Sequence, residues 1–187
     1  VYSFVMNGNN IFAGTYNNGV FLSTNNGESW TFSGLAHQNY DRHINSMAAS
    51  GNNIFAGTND SGVFLSTNNG GSWVQVNNGL TTLCVWCLAS SGNYLFAGTS
   101  DKVFLSTNIG GNWTPVLSQY AGAIAISGNN VLAGGFGMFL STNYGSSWTS
   151  AGLTGKQVNA IAISGNNIFA GIDDFNGGGG LFLSTDY

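Results

Sequence analysis

The sequence predicts an all-β, five-bladed β-propeller with four antiparallel strands in each blade and a fifth blade that lacks its outer strand. Two phrases that recur along the chain at intervals of about 40 residues indicate this fold. The first is GNNIFAGT, which begins at Gly8, and the second is FLSTNNGESW, which begins at Phe21. Units of this length that contain several short strands are typical of propeller blades.

Each unit contains four short apolar runs separated by Gly-Asn and Asn-Gly pairs, which supply the positive φ angles of tight hairpin turns. In blade order these are the first strand, the NIFAG run, the VFLST run, and the residues that follow a recurrent tryptophan, as in Trp30–Ser33. Runs this short leave no room for helices. The pattern predicts one domain whose blades occupy 1–34, 44–77, 85–117, 121–150 and 158–187.

The first strand of each blade is predicted to be buried on both faces, because residues 160–163 of the last unit are all apolar. A large residue stands between two small ones in every copy, which is the taper expected where blades converge on an axis. This residue is Phe4, Met47, Leu88, Ile124 or Ile161. The phenylalanines of the second and third strands are predicted to form the core between blades.

The composition excludes several classes of partner. Only 5% of the residues are charged, with 3 basic and 7 acidic side chains. Three basic residues cannot neutralise the phosphates of a nucleic acid or of an anionic membrane. No apolar run approaches the length of a membrane-spanning helix. We therefore expect neither a nucleic-acid partner nor insertion into a membrane.

The turn between the third and fourth strands carries the pattern S-T-N-x-G-x-x-W, called here the STN turn. A short asparagine side chain can bond the backbone of its own turn, glycine relieves a left-handed conformation, and tryptophan anchors the turn to the core. The STN turn therefore has a structural explanation and needs no ligand. Its repeated positions are Ser23, Asn25, Gly27 and Trp30; Ser66, Asn68, Gly70 and Trp73; Ser106, Asn108, Gly110 and Trp113; and Ser141, Asn143, Gly145 and Trp148.

The STN turn resembles the Asp-box, or BNR repeat, of sialidase-like propellers, with asparagine at the third position in place of the more usual aspartate. The run AGT…GVF before it is also similar to xyloglucanase propellers and other secreted Asp-box proteins. This resemblance implies the propeller fold and places the STN turns away from the functional face. It also implies a bacterial-type protein that is secreted or displayed on the cell surface. The incomplete fifth STN turn, which has Asp186 at its third position, leads us to expect a fragment of a longer protein.

The same resemblance predicts that two kinds of connection share one end of the propeller, called here the loop rim. These are the connections from the second to the third strand and from each fourth strand to the next blade. Eight of the ten charged residues fall in them, and Glu28 and Asp186 are the exceptions. Loops are where polar residues normally lie, but acids beside aromatic rings also suit a hydroxyl-rich ligand. The candidate ligand-binding residues are Tyr40, Asp41, Arg42, His43, Asp60, Trp86, Asp101, Phe136, Asp173, Asp174 and Phe175.

Three functions remain open at this stage. The first is a non-enzymatic binding module that takes a glycan or a protein at the loop rim, and the second is a structural or assembly scaffold. The third is a glycoside hydrolase with paired aspartates, drawn from Asp60, Asp101, Asp173 and Asp174. Sialidase activity of the resembling kind is excluded, because it needs three arginines and only Arg42 is present. His37, Asp41 and His43 could form a hydrolase triad with one of the serines, but a ten-residue loop that holds both histidines is more often a solvated loop.

No cofactor or metal site is expected. Asp173, Asp174 and Asn176 could donate oxygens to Ca²⁺, but they lack the spacing of a known calcium loop. Cys84 and Cys87 lie three residues apart on an extended strand, which places their Cα atoms beyond disulfide reach. We expect free cysteines with a packing role. The unpaired edge of the fifth blade is expected to be able to pair with another chain.

Overall fold

A computed structural model describes residues 1–35, 43–173 and 179–186. These residues form five antiparallel sheets, four with four strands and one with three. The predicted all-β propeller fold is thereby confirmed, with five blades in the described residues and three strands in the fifth. Within the described ranges, no helix is long and apolar enough to cross a lipid bilayer.

The strands follow the chain as simple meanders, so each blade is one contiguous segment. Blade 1 contains β1 (Ser3–Asn7), β2 (Asn10–Gly14), β3 (Val20–Ser23) and β4 (Thr31–Gly34). Blade 2 contains β5 (Ile44–Ser50), β6 (Asn53–Thr58), β7 (Val63–Ser66) and β8 (Val74–Gln75). Blade 3 contains β9 (Val85–Ser91), β10 (Tyr94–Thr99), β11 (Val103–Ser106) and β12 (Thr114–Leu117). Blade 4 contains β13 (Ala123–Ser127), β14 (Asn130–Gly135), β15 (Gly137–Ser141) and β16 (Thr149–Ser150), and blade 5 contains β17 (Gln157–Ser164), β18 (Asn167–Asp173) and β19 (Gly180–Ser184).

The hydrophobic core lies between blades rather than within one of them. At the interface of blades 2 and 3, Phe55 and Leu65 of one sheet pack with Leu88, Phe104 and Trp113 of the next. Analogous clusters join each of the other consecutive pairs. Strand alternation explains this arrangement, because successive side chains point to opposite faces and both faces of an interior blade meet a neighbour.

The recurrent glycine that follows alanine in each second strand allows the blades to approach closely. A Cβ added to Gly14 would lie 2.5 Å from Cγ2 of Ile44, and one added to Gly57 would lie 2.7 Å from Cγ1 of Val85. Gly134 has the same relation to Val158 of the fifth blade, at 2.6 Å. Each contact residue is the first or second residue of the inner strand of the following blade. The glycine is therefore a requirement of blade-to-blade packing.

The inner strands pack in series, β1 against β5, β5 against β9, β9 against β13 and β13 against β17. No comparable packing joins β17 to β1 in the described parts of the chain. The expectation that every first strand is buried on both faces is therefore wrong for the end blades. Ala160 and Ala162 of β17 are exposed, and Phe4 of β1 is 60% exposed where Met47 and Leu88 are 6% and 7% exposed. The physical reason is that each end blade has a neighbour on one side alone.

The STN turn is stabilised by side-chain bonds within itself. In blade 1, the Ser23 hydroxyl donates to Oδ1 of Asn25 at 3.0 Å and accepts from the backbone N–H of Gly27 at 2.8 Å. Oδ1 of Asn25 also accepts the N–H of Ser29 at 3.0 Å, while its Nδ2 donates to the Ser29 hydroxyl at 2.9 Å. The first three of these bonds recur in the turns of blades 2, 3 and 4. An asparagine supplies the donor as well as the acceptor, which accounts for its use here.

The fourth residue of the STN turn adopts a left-handed conformation in every complete copy. Asn26 has φ of 57° and Asn69 has φ of 52°, and asparagine tolerates this region well. Ile109 occupies the same position with φ of 61°, although a β-branched residue is strained there. Its side chain is 44% exposed, so little burial offsets the strain.

Replacing Ile109 by asparagine is expected to raise the free energy of unfolding by about 1 kcal/mol, because it removes that strain. Chemical denaturation monitored by tryptophan fluorescence would measure the change. The reverse substitution Asn69→Ile serves as the matched control and is expected to lower stability by a similar amount. An Ile109→Asn variant no more stable than the parent would contradict the strain assigned to this turn.

Candidate functional site

The two kinds of connection that define the loop rim meet at one end of the blades. The N–H of Ile44 donates to the carbonyl of Thr15 at 3.0 Å, and the N–H of Asn59 donates to the carbonyl of His43 at 3.1 Å. Between blades 3 and 4, the N–H of Ala121 donates to the carbonyl of Thr99 at 3.2 Å. Because the strands run as meanders, the first-to-second hairpins and the STN turns lie at the opposite end, called here the turn rim.

Aromatic side chains form two groups on the loop rim. In the first group, Tyr16 stacks on His43 with ring centroids 3.7 Å apart. The ring centroid of Tyr2 lies 5.6 Å from that of Tyr16. At the junction of blades 3 and 4, Tyr120 and Phe136 are 5.7 Å apart and tilted by 45°. Their distribution over several blades gives this end apolar ring faces set among backbone and amide groups.

Two of the predicted aromatic residues are substantially exposed. Trp86, the second residue of β9, is 41% exposed, and Phe136 is 63% exposed. An indole or phenyl ring left open at a polar end of a protein costs hydration free energy unless a partner covers it. Leu83 is 41% exposed in the connection just before β9. Leu83 is not among the residues predicted from the sequence, because it begins the apolar run Leu83–Trp86 and does not stand out from the strand that follows.

Tyr120 is likewise not among the predicted site residues. Its position explains why blade 4 has Gly122 where blade 3 has Trp86. Its hydroxyl would lie 2.5 Å from a Cβ at Gly122, so this position of blade 4 accepts no larger residue without displacing the phenol. Partial burial raises the pKa of Tyr120, and a hydrogen bond with the Gln157 side chain acts in the opposite direction. The phenol therefore remains protonated at neutral pH and can donate a hydrogen bond at the loop rim.

Asp101 is held by bonds from its own loop and from the connection between blades 2 and 3. Its Oδ2 pairs with the Lys102 ammonium at 2.7 Å, and its Oδ1 accepts from the hydroxyls of Thr82 at 2.7 Å and Thr99 at 3.0 Å. The bond from Lys102 is the main cause that lowers the pKa of the Asp101 carboxyl, and the two threonine bonds add to it. Asp101 is therefore ionised at neutral pH, and three side chains at the junction of blades 2 and 3 fix its position.

The remaining described acids lie on different blades. Asp60 accepts a hydrogen bond from the Ser61 hydroxyl at 2.8 Å in the second-to-third connection of blade 2. Asp173 ends β18 of blade 5, opposite Gln157 in the strand register, and is exposed. Asp60, Asp101 and Asp173 thus belong to blades 2, 3 and 5. No group of three metal-ligating side chains occurs among the residues that the structure describes.

Five of the predicted site residues lie outside the described residues. They are Tyr40, Asp41, Arg42, Asp174 and Phe175, and His37 of the proposed triad and Asn176 of the proposed calcium loop lie there too. His43, the triad member that is described, packs its ring on Tyr16.

The two cysteines are free, as the spacing predicts. Cys87 is buried and its thiol lies 3.5 Å from the carbonyl oxygen of Ala121 in the next blade. Burial raises the pKa of Cys87 to about 12, so the thiol stays neutral and unreactive at physiological pH. Cys84 is partly buried, with its thiol 3.6 Å from Oδ1 of Asn59, and burial together with the nearby Asp60 charge raises its pKa.

A cavity of about 240 Å³ lies at the turn rim, between blades 2 and 3. Its walls include Phe55, Tyr94 and the strained Ile109. Tyr94 also stacks nearly parallel on Tyr144 of the next STN turn, with centroids 4.3 Å apart. This end is therefore not featureless, but the candidate residues assigned from the sequence and described by the structure lie at the other end.

No protein-family model matches the sequence, and no curated protein matches it. Solved structures do have a similar fold. A GH74 xyloglucanase from Xanthomonas campestris is 15% identical with a TM-score of 0.73, covering 100% of this chain and 37% of that one. YCF48 bound to D1 peptide is 15% identical with a TM-score of 0.72, covering 97% and 63%. An extracellular domain from B. thetaiotaomicron is 16% identical with a TM-score of 0.77, covering 97% and 26%.

At these identities the likeness establishes the fold alone. The expected similarity to xyloglucanase-type propellers is confirmed at that level. The chain spans less than two thirds of the length of each of these proteins. Related folds thus serve an enzyme, a peptide-binding protein and an extracellular domain.

Proposed function

We propose that the chain is a non-enzymatic recognition module whose loop rim binds a neutral, hydroxyl-rich ligand such as a glycan outside the cell. The observation that carries this proposal is the group of exposed rings at this end, above all Trp86 and Phe136. Aromatic faces cover the apolar faces of sugar rings, while amides and phenols bond their hydroxyls. A net charge of −4 spread over few charged groups suits a ligand without charge.

The protonation state of Asp101 and the positions of Asp60 and Asp173 favour binding over hydrolysis. A glycosidase needs two carboxyl groups about 5–10 Å apart, one of which must hold a proton at working pH. Asp101 has its pKa lowered by Lys102 and by hydroxyl donors, which is the opposite of what a general acid requires. Asp60 and Asp173 lie on blades 2 and 5.

A second candidate function is a scaffold that binds an extended peptide or a protein at the same end. YCF48, a protein of similar fold, is known in complex with D1 peptide. The exposed apolar side chains of Leu83 and Trp86, three residues apart at one blade junction, would suit an apolar anchor of such a peptide.

Glycan-array screening of the 187-residue chain, followed by calorimetric titration of the best ligand, tests the proposal. The substitution Trp86→Ala is expected to weaken binding about fivefold or more, because one stacked ring contributes of the order of 1 kcal/mol. Tyr144→Asn is the matched control. It removes an aromatic residue at the turn rim and restores the asparagine of blades 1 and 2, so it is expected to leave binding unchanged.

Other results would contradict the proposal in distinguishable ways. Silence across the array together with capture of a defined peptide would favour the scaffold. Release of new reducing ends from a bound glycan would show hydrolysis. Equal weakening by Trp86→Ala and Tyr144→Asn would place binding elsewhere or show a loss of folding, which circular dichroism of both variants would separate.

A further inference from the structure

The four interior interfaces define what each face of a blade normally contacts. The face toward the next blade, called here the forward face, presents the second-strand phenylalanine and the first and third residues of the VFLS strand. The face toward the preceding blade, called here the backward face, presents the large inner-strand residue, the phenylalanine of the VFLS strand and the STN tryptophan. Forward and backward faces are chemically different and pair with each other.

Among the described residues no other sheet packs on the backward face of blade 1, which is open. Phe4 is 60% exposed and Trp30 is 39% exposed, whereas Trp113 at the same position of blade 3 is 2% exposed. These side chains line a shallow apolar cavity of about 360 Å³ together with Val1, Ala13, Thr15 and Phe21. In blades 2 and 3 the equivalent tryptophans donate their indole N–H to the preceding blade, at 2.8 Å from Trp73 to the carbonyl of Ser33 in β4 and at 2.7 Å from Trp113 to the carbonyl of Val76 just after β8.

The forward face of blade 5 is likewise open, since no other sheet of the described part of the chain packs on it. Leu181 is 72% exposed, whereas Val63 and Val103 at the same position are 0% exposed. Leu183 is 58% exposed, against 9% for Leu65. These two leucines therefore present an apolar surface of the kind that a following blade buries in blades 2 and 3.

The second-strand glycine of blade 5 gives an independent indication. In blades 1, 2 and 4 a Cβ at this glycine would collide with the next blade, as described above. A Cβ at Gly171 would meet nothing closer than Ala160 of its own blade, at 3.3 Å. Blade 5 nevertheless retains the glycine that close blade packing requires.

We propose that the backward face of blade 1 and the forward face of blade 5 are docking surfaces for further blades of this same repeat, within one propeller. The two faces have opposite character, so a run of blades that ends in a forward face and begins with a backward face fits between them. Propellers typically contain four to eight blades, so about one to three further blades would complete the circle. This proposal does not depend on the function of the loop rim.

A second copy of the chain fits less well. Two arcs of five blades would close as a ring of about ten, beyond the typical range, and an unclosed head-to-tail contact would leave one pair of faces uncovered at the ends. We therefore assign these faces to blades that share one axis with the five described.

The test compares the 187-residue chain with an extended chain in which residues 67–150 are repeated after Ser184. Since Ser184 is equivalent to Ser66, this extension completes blade 5 and adds copies of blades 3 and 4. Each chain is also made with Leu181→Asp. In the 187-residue chain this exposed substitution is expected to shift the melting temperature by less than about 2 °C. In the extended chain it is expected to lower the melting temperature by at least about 5 °C, because the carboxylate would be buried without a partner.

Each alternative result overturns the proposal. If Leu181→Asp is strongly destabilising in the 187-residue chain, the face is already covered, and the mass from light scattering distinguishes closure within a monomer from a dimer of two copies. If the substitution is harmless in both chains, the added blades do not dock on this face. The backward face of blade 1 is tested in the same way with Phe4→Asp, by measuring the melting temperature of the 187-residue chain and of the extended chain, each with and without the substitution.

Discussion

Replacing Phe55 by alanine is expected to lower the free energy of unfolding by about 3–5 kcal/mol, which is the usual cost of deleting a buried phenyl ring. Phe55 is 1% exposed and packs in the cluster that joins blades 2 and 3, with Leu65, Leu95 and Trp113. Its loss leaves a cavity at an interface where neither sheet can move without disturbing its next neighbour. Urea denaturation with two spectroscopic probes would measure the change.

The chain contains its own control for this prediction. Phe169 has the same position in blade 5, but no following blade packs on it and it is only partly buried. Phe169→Ala is therefore expected to cost about 1 kcal/mol, well below the cost at Phe55. Similar losses at the two positions would mean that the forward face of blade 5 is covered in solution.

The substitution Gly57→Ala is expected to destabilise the protein by about 1–3 kcal/mol, although it adds a single methyl group. The new Cβ would lie 2.7 Å from Cγ1 of Val85 and 3.2 Å from Cγ of Leu88, both buried residues of blade 3. The two blades would have to separate locally to admit it. Thermal unfolding followed by circular dichroism would report the loss.

Gly171→Ala is the matched substitution at the same position of the repeat. Its Cβ would lie 3.3 Å from the Cβ of Ala160, a tight contact within its own blade that a small local shift relieves, and alanine restricts the unfolded chain more than glycine does. We expect this variant to be neutral or more stable by up to about 1 kcal/mol. Destabilisation at Gly171 equal to that at Gly57 would contradict the absence of a blade on that side.

The candidate site could be predicted in part. Loop position follows from meander topology, so the sequence placed Asp60, Trp86 and Asp101 at one end without any knowledge of contacts. It could not show that Asp101 is bonded to Lys102, Thr82 and Thr99, because Thr82 reaches it from the connection that precedes its own blade. Nor could it show that the space above Gly122 is taken by the hydroxyl of Tyr120.

The sequence by itself determined the blade. Its repeated phrases specify strand, turn and core positions locally, because a two-residue side-chain period and a left-handed turn residue act within a few residues of each other. Only the tertiary structure decided which of these apolar positions are buried. Phe4 and Met47 are equivalent in the repeat, yet one is 60% exposed and the other 6%, since burial depends on whether another sheet stands beside the blade.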